Sequence, residues 1–265
     1  MRRLLISLTY VVITLLLIVP LFKILTGAWA DGPGPFIDAL KRPQSLHALM
    51  MTGIIVVVVT VVNTLFGVML ALYLVRAPWL GPKVKRLLNS LVDLPFAVSP
   101  VIGGLMIVLL LGPGTVMGAL FEGIGVKIVY AMPGMILATL FVTFPIMVRE
   151  VMPVLQEIGA QQEEAASTLG AYSWYTFWKV TWPSIRWGVI YGVVLTVARS
   201  LGEFGAVLVV SGNIMNKTQT ATTLVYQDVE NFNVVAANGI ALVLAVFSVG
   251  LLLLMEWAKK RKEVH

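Results

Sequence analysis

The sequence predicts an all-α membrane protein of six transmembrane helices with both termini in the cytoplasm. Composition is the first reason. The 265 residues are 58% hydrophobic and only 12% charged, where a soluble domain carries about 25% charged residues. The second reason is that the apolar residues fall in six runs, each long enough at about 20 residues to cross the hydrocarbon core as a helix. The runs are continuous, whereas barrel strands alternate. The third reason is the placement of Lys and Arg, which gather at the ends of those runs as topology signals do. That placement also explains the net charge of +6 without a nucleic-acid partner. The chain has no cysteine, which excludes disulfides, thiolate metal sites and thiol nucleophiles.

The first run covers about residues 4–25 and follows Arg2-Arg3. Ala28-Trp29-Ala30 beyond it resembles a signal-peptide cleavage site. The run is longer than the ~7–15 apolar residues of such peptides, so it is expected to remain as a span. A turn-rich outer loop, Asp31-Gly32-Pro33-Gly34-Pro35, leads on. The remaining runs cover about residues 49–75, 88–111, 129–148, 187–210 and 234–257. One set of their ends holds Arg2, Arg3, Arg76, Lys83, Lys85, Arg86, Arg149, Lys179, Arg186, Lys259, Lys260, Arg261 and Lys262. The other holds only Lys41, Arg42, Lys127 and Lys217. The richer set belongs in the cytoplasm, and with six spans both termini lie there. No internal repeat or long linker divides residues 1–265, which read as one transmembrane domain.

The longest segment outside the spans is a cytoplasmic insert at about 149–186. Gln156, Gln161, Gln162, Glu163 and Glu164 make it polar, and Ala160, Ala165 and Ala166 favour helix. Gly170 is placed to end that helix in a left-handed conformation. Ser173 can cap a second short helix through Trp174, Phe177 and Trp178, which Pro183 should end. Periodicity leaves two readings open: an interfacial amphipathic loop, or an element gripped by a soluble partner.

Glu164-Ala165-Ala166, then Gly170, then Val180-x-Trp182-Pro183 resembles the EAA loop of ABC-type import permeases. The usual ending of that pattern is Ile-x-Leu-Pro, so Trp182 is a departure that keeps the position apolar. The resemblance implies type I ABC importer permease architecture and a loop that docks into a separate ATPase. Glu164, Ala165, Ala166, Gly170 and Pro183 would be its coupling residues, with Glu164 facing a basic group. Two further stretches resemble sulfate/thiosulfate import permeases: Asp93-Leu94-Pro95-Phe96-Ala97-Val98-Ser99-Pro100-Val101, and Ala198 to Val207 followed by Val210-Ser211-Gly212-Asn213. The form Phe204-Gly205-Ala206-Val207 is closer to the CysW type than to the CysT type. By that resemblance the partners are a second related permease, two ATPase subunits, a periplasmic sulfate-binding protein and the lipid bilayer of a bacterial inner membrane. ATP and Mg belong to the ATPase. No cofactor is expected on this chain, and it has no Gly-x-x-x-x-Gly-Lys-Ser/Thr loop to hold a nucleotide.

Arg199 and Glu203 are four apart in the predicted fifth span and would share a helix face. Charges at that depth usually mark a pair or a path. Two readings stand: a mutual ion pair, or a contact with the partner permease, that fixes packing; or a guanidinium beside an anion path. Asp93 is expected to make a helix-end or inter-helix contact, and Asn63 and Ser99 to hydrogen-bond across helices. Gly188-x-x-x-Gly192 would permit close helix approach. His47, in an outer loop, and His265 have no ligand cluster around them, so no metal site is expected. An energised mechanism suits a dianion, which faces about 4.6 kcal/mol on entering against 100 mV, twice the per-charge value. The alternatives are a molybdate or tungstate ABC permease and a proton-coupled anion transporter with Glu203 as relay. A membrane enzyme would need a convergent catalytic set, and none is evident.

Overall fold

The computed structural model describes residues 2–77 and 79–263. His265, and the side chains of residues 2–4 and 258–263 with their basic groups, lie outside what it describes. The described chain is helical and contains no strand. Helices α1 (Arg2–Ile13) and α2 (Val19–Ala28) are joined by a π turn, Thr14–Ile18. Then come α3 (Pro33–Lys41), α4 (Pro43–Arg76), α5 (Pro82–Ala97), α6 (Pro100–Leu111), α7 (Val116–Gly123) and α8 (Met132–Ile158). Next are α9 (Gln161–Thr168) and α10 (Ser173–Thr176), with a second π turn, Phe177–Thr181, leading into α11 (Trp182–Leu201). The last helices are α12 (Gly205–Ser211), α13 (Ala221–Glu230) and α14 (Val234–Glu263). Five segments are long and apolar enough to cross a membrane: Leu5–Ala28, Pro43–Arg76, Met132–Ile158, Ser173–Leu201 and Val234–Trp257. The pair α5 and α6 makes a sixth if counted as one broken span.

The bend between α5 and α6 is the first departure from the single straight helix that the sequence predicts at 88–111. The two halves meet at 107°. Pro100 is the cause. The residue before a proline is pushed out of the helical region, and Ser99 stands at φ −57°, ψ 136°. Ser99 therefore marks the bend, exposed, and makes no bond across helices. The predicted fifth span is also broken. Its helix ends at Leu201, and Gly202-Glu203-Phe204 turn the chain before α12.

Helix boundaries moved elsewhere too. Helix α8 does not stop at 148 but runs to Ile158, because Val151, Met152 and Leu155 are buried against Leu74, Ile185 and Val189. Helix α4 begins at Pro43, a residue suited to a first turn, so His47 lies within it and not in a loop.

The centre of the bundle is α4, α8 and α11. Their close approach depends on missing side chains. A Cβ on Gly67 would stand 2.6 Å from Met147 Cγ, and one on Gly192 would stand 2.6 Å from Met147 Sδ. Gly188, one turn earlier, would place its Cβ 3.0 Å from the Glu150 carbonyl. The Gly188-x-x-x-Gly192 stripe is thus pressed onto α8, and small residues are what let helices in lipid approach this closely. Asn63 donates to Thr143 Oγ1 at 2.7 Å between α4 and α8, both residues fully buried. Asp93 on α5 accepts a forked pair of bonds from Arg149 on α8, with Nε at 2.8 Å. At the opposite end of the bundle, Arg42 holds Asp228 by two bonds, the shorter 2.7 Å.

Candidate coupling site

The segment between α8 and α11 is shorter and more ordered than an insert of 149–186 would be. After Ile158, Gly159 adopts φ 68° and ends α8. Helix α9 then carries Glu163, Glu164, Ala165 and Ala166. Its two glutamates occupy its first turn, where the helix dipole favours negative charge.

Gly170 ends α9 as a left-handed residue at φ 84°. The Ala171 N–H donates to the Ala166 carbonyl at 3.0 Å, and the Gly170 N–H to the Ser167 carbonyl at 3.0 Å. This pair of bonds is the Schellman closure, in which a residue without Cβ takes the left-handed position. Ser173 does not cap the next helix. The cap position is Tyr172, which makes no side-chain cap bond, and Ser173 is the first helical residue.

Pro183 does not end a helix either. The chain is continuously helical from Ser173 to Leu201. The π turn immediately ahead of Pro183 accommodates it, with the Trp182 N–H bonded to the Phe177 carbonyl five residues back. A proline ring normally clashes with the carbonyl of the preceding turn, and an inserted residue shifts that carbonyl out of register.

The two adjacent glutamates face opposite ways. Glu163 points into the bundle: its Oε2 lies 2.8 Å from Arg76 Nε, and its Oε1 accepts from Thr181 Oγ1 at 2.8 Å. Arg76 also donates to the Gly159 carbonyl at 2.6 Å. Glu164 is exposed, as are Ala165 and Gly170, while Ala166 is half-buried. Leu169 is 88% exposed, and Tyr172, Trp174, Tyr175 and Trp178 are exposed with it. The indole rings of Trp174, Trp178 and Trp182 form a chain with centroids 5.6 and 5.7 Å apart. Trp182 closes that chain onto the core around Leu155 and Ile185. The bulky residue at this position thus anchors an aromatic surface.

Arg199 and Glu203 meet as an ion pair, Nη1 to Oε2, at 2.8 Å. The Glu203 side chain is 2% exposed and that of Arg199 is 38%. Glu203 lies just beyond α11, and its Oε1 accepts the Ala206 N–H at 3.0 Å. Thr222 donates to the Glu203 carbonyl at 2.7 Å, tying the break to α13. Among the described residues no cluster of three or more His, Cys, Asp or Glu could hold a metal ion.

The sequence marks Arg76 only as a topology charge and Glu163 only as part of a polar insert, and it gives Thr181 no part. The contacts that join them span 87 and 18 residues of chain, which no local periodicity reveals.

An apolar helical bundle with a broken third span, holding a short helix and an aromatic face out at its basic end, defines a membrane permease of the ABC importer class. The family described as binding-protein-dependent transport system inner membrane component matches residues 63–263, and the chain belongs to it. The sulfate transport system permease protein CysW of Synechocystis sp. is 44% identical over 264 residues, covering 100% of this chain and 95% of that protein. The sulfate transport system permease protein CysT of Escherichia coli K12 is 34% identical, covering 91% of this chain and 86% of that one. Among solved structures, a chain of a bacterial alginate ABC transporter, crystallised with an alginate pentasaccharide-bound periplasmic protein, superposes with TM-score 0.81. It covers 98% of this chain and 94% of its own at 17% identity, a likeness of fold.

Proposed function

We propose that this chain is one membrane half of an ATP-driven importer of sulfate or thiosulfate, coupled to a separate ATPase through α9 and the aromatic face beside it. The observation that carries the coupling role is the split of Glu163 and Glu164. One carboxylate fixes α9 to the bundle, and the other stands exposed beside Leu169, Trp174 and Trp178. A soluble partner with a basic group and an apolar groove would cover that surface, in the way helix-in-groove recognition works. The same end of the bundle carries Arg76, Lys83, Lys85, Arg86, Arg149 and Lys179, which supports a cytoplasmic location for α9 and for both termini.

The substrate assignment rests on full-length similarity to relatives named as sulfate permeases. In the complete importer this chain pairs with a second related permease. Two ATPase subunits with ATP and Mg supply the work, and a periplasmic binding protein delivers the anion. Arg199 and Glu203 serve packing: the Glu203 carboxylate is enclosed by the guanidinium and the Ala206 N–H, which fixes the break between α11 and α12. A carboxylate held this way is poorly suited to relay protons.

The test is labelled sulfate uptake by the reconstituted complex, with thiosulfate and molybdate as competitors. ATP-dependent uptake displaced by thiosulfate is expected. Uptake displaced by molybdate alone would move the substrate to the larger oxyanions. Uptake abolished by an uncoupler while ATP stays high would contradict the ATP-driven mechanism.

A further inference from the structure

The exposed glutamate of α9 has a place in the reading above, but its buried neighbour does not. Four helix ends converge on that neighbour. Arg76 is the last residue of α4 and Gly159 is the C-cap of α8. Glu163 lies in the first turn of α9, and Thr181 closes the π turn that opens into α11. One guanidinium and one carboxylate join all four. Arg76 donates to Gly159 at 2.6 Å, Arg76 and Glu163 approach at 2.8 Å, and Thr181 donates to Glu163 at 2.8 Å. Both charged side chains are about four-fifths buried, at 21% and 22% exposure, and Thr181 is buried. Water cannot readily replace partners at that depth, so the cluster resists opening.

We propose that the Arg76–Glu163 pair, seated on Gly159 and Thr181, is the rigid link that delivers movement of α9 to α4 and α11, and that Glu163 is a positioning residue for coupling. This rests on the coupling role of α9 proposed above. The Schellman turn at Gly170 fixes only the far end of α9 to the chain that follows it. At its near end, the chain connection to α8 is Gly159, a residue at φ 68° with space around it for a Cβ. Such a hinge transmits little force by itself. The side-chain cluster bridges it. It also connects α9 to α4, with which α9 has no chain continuity. Helices α4 and α11 both press on Met147 through Gly67 and Gly192, so a displacement entering both would reach the centre of the bundle. Glu164, by contrast, reaches none of these groups, and its function depends on the partner.

The test uses reconstituted complexes with labelled sulfate and two readouts: ATPase subunits retained per permease, and sulfate transported per ATP hydrolysed. Arg76→Gln, Glu163→Gln and the double variant are compared with Glu164→Lys. The link predicts that Arg76→Gln and Glu163→Gln keep the ATPase and its hydrolysis. Each should lower transport per ATP at least about fivefold, the low end of couplings between sites. The double variant should be no worse than the weaker-coupled single one, since both singles already break the Arg76–Glu163 pair. An unchanged ratio in both single variants, additive losses, or loss of the ATPase from Glu163→Gln overturns the link. If the Glu163→Gln chain itself does not fold and insert into the membrane, Thr181→Val decides: a lowered ratio supports the link and an unchanged ratio overturns it. Retention of both the ATPase and transport by Glu164→Lys would instead remove the coupling role of this face. Its failure alone, with Glu163→Gln neutral, removes only the link.

Discussion

Replacing Arg199 with Gln should destabilise the protein more than replacing Glu203 with Gln, although the two form one ion pair. The asymmetry follows from burial. The Glu203 side chain is 2% exposed and that of Arg199 is 38%. Removing the guanidinium strands a buried carboxylate whose remaining bond is the Ala206 N–H at 3.0 Å. Breaking a buried pair by deleting one partner costs about 3–5 kcal/mol. The partial exposure of Arg199 places this case near the lower bound, at about 3 kcal/mol. Glu203→Gln keeps an oxygen for Ala206, and the freed guanidinium can reach water, so about 1 kcal/mol is expected. The double variant should then resemble Glu203→Gln, leaving a coupling of about 3 kcal/mol. At about 2–4 °C per kcal/mol for a chain of this size, the two single variants separate by several degrees. Heating the detergent-solubilised complex and following the surviving monodisperse fraction by size-exclusion chromatography measures this. Equal losses, the reverse order or simple additivity would refute the reasoning.

Glu164→Lys should abolish ATPase co-purification or uncouple transport while membrane insertion, followed by membrane-fraction yield, stays intact. Gly170→Val should cost more than about 1 kcal/mol, because a β-branched residue must take φ 84°. It should also weaken ATPase retention in a pull-down by misdirecting the chain after α9. Gly192→Leu should abolish or severely reduce the yield of folded protein, since even its Cβ would stand 2.6 Å from Met147 Sδ. The read-out is the monodisperse fraction after solubilisation.

The spans near 4–25, 49–75, 129–148 and 234–257 were legible because a continuous apolar run constrains a helix in lipid strongly. The two breaks were less legible for opposite reasons. At Ser99-Pro100 the apolar residues on both sides are as hydrophobic as a straight helix requires, and only the backbone preference of Pro100 bends the chain. At Gly202-Glu203 the signal was a charge, which the sequence reading assigned to a helix face. Its carboxylate in fact turns to the Ala206 N–H beyond the helix end. The extension of α8 to Ile158 was hidden because hydropathy marks the edge of the lipid, and a helix packed on its neighbours does not end there. The Gly188–Gly192 stripe and the turn at Gly170 were visible because each depends on a residue type. The Arg76–Glu163–Thr181 cluster was not, because it depends on tertiary contact between charges that had sufficient local explanations.

The central claim is that work done by a separate ATPase enters this permease through α9. Sulfate accumulation in proteoliposomes holding both permeases, the ATPase and the binding protein tests it most directly, with wild-type and Glu164→Lys chains compared under saturating ATP. Accumulation by the wild-type that persists with an uncoupler, and its loss in Glu164→Lys despite intact insertion, is the predicted result. Equal accumulation by both chains, or accumulation that follows the proton gradient and ignores ATP, would contradict the account.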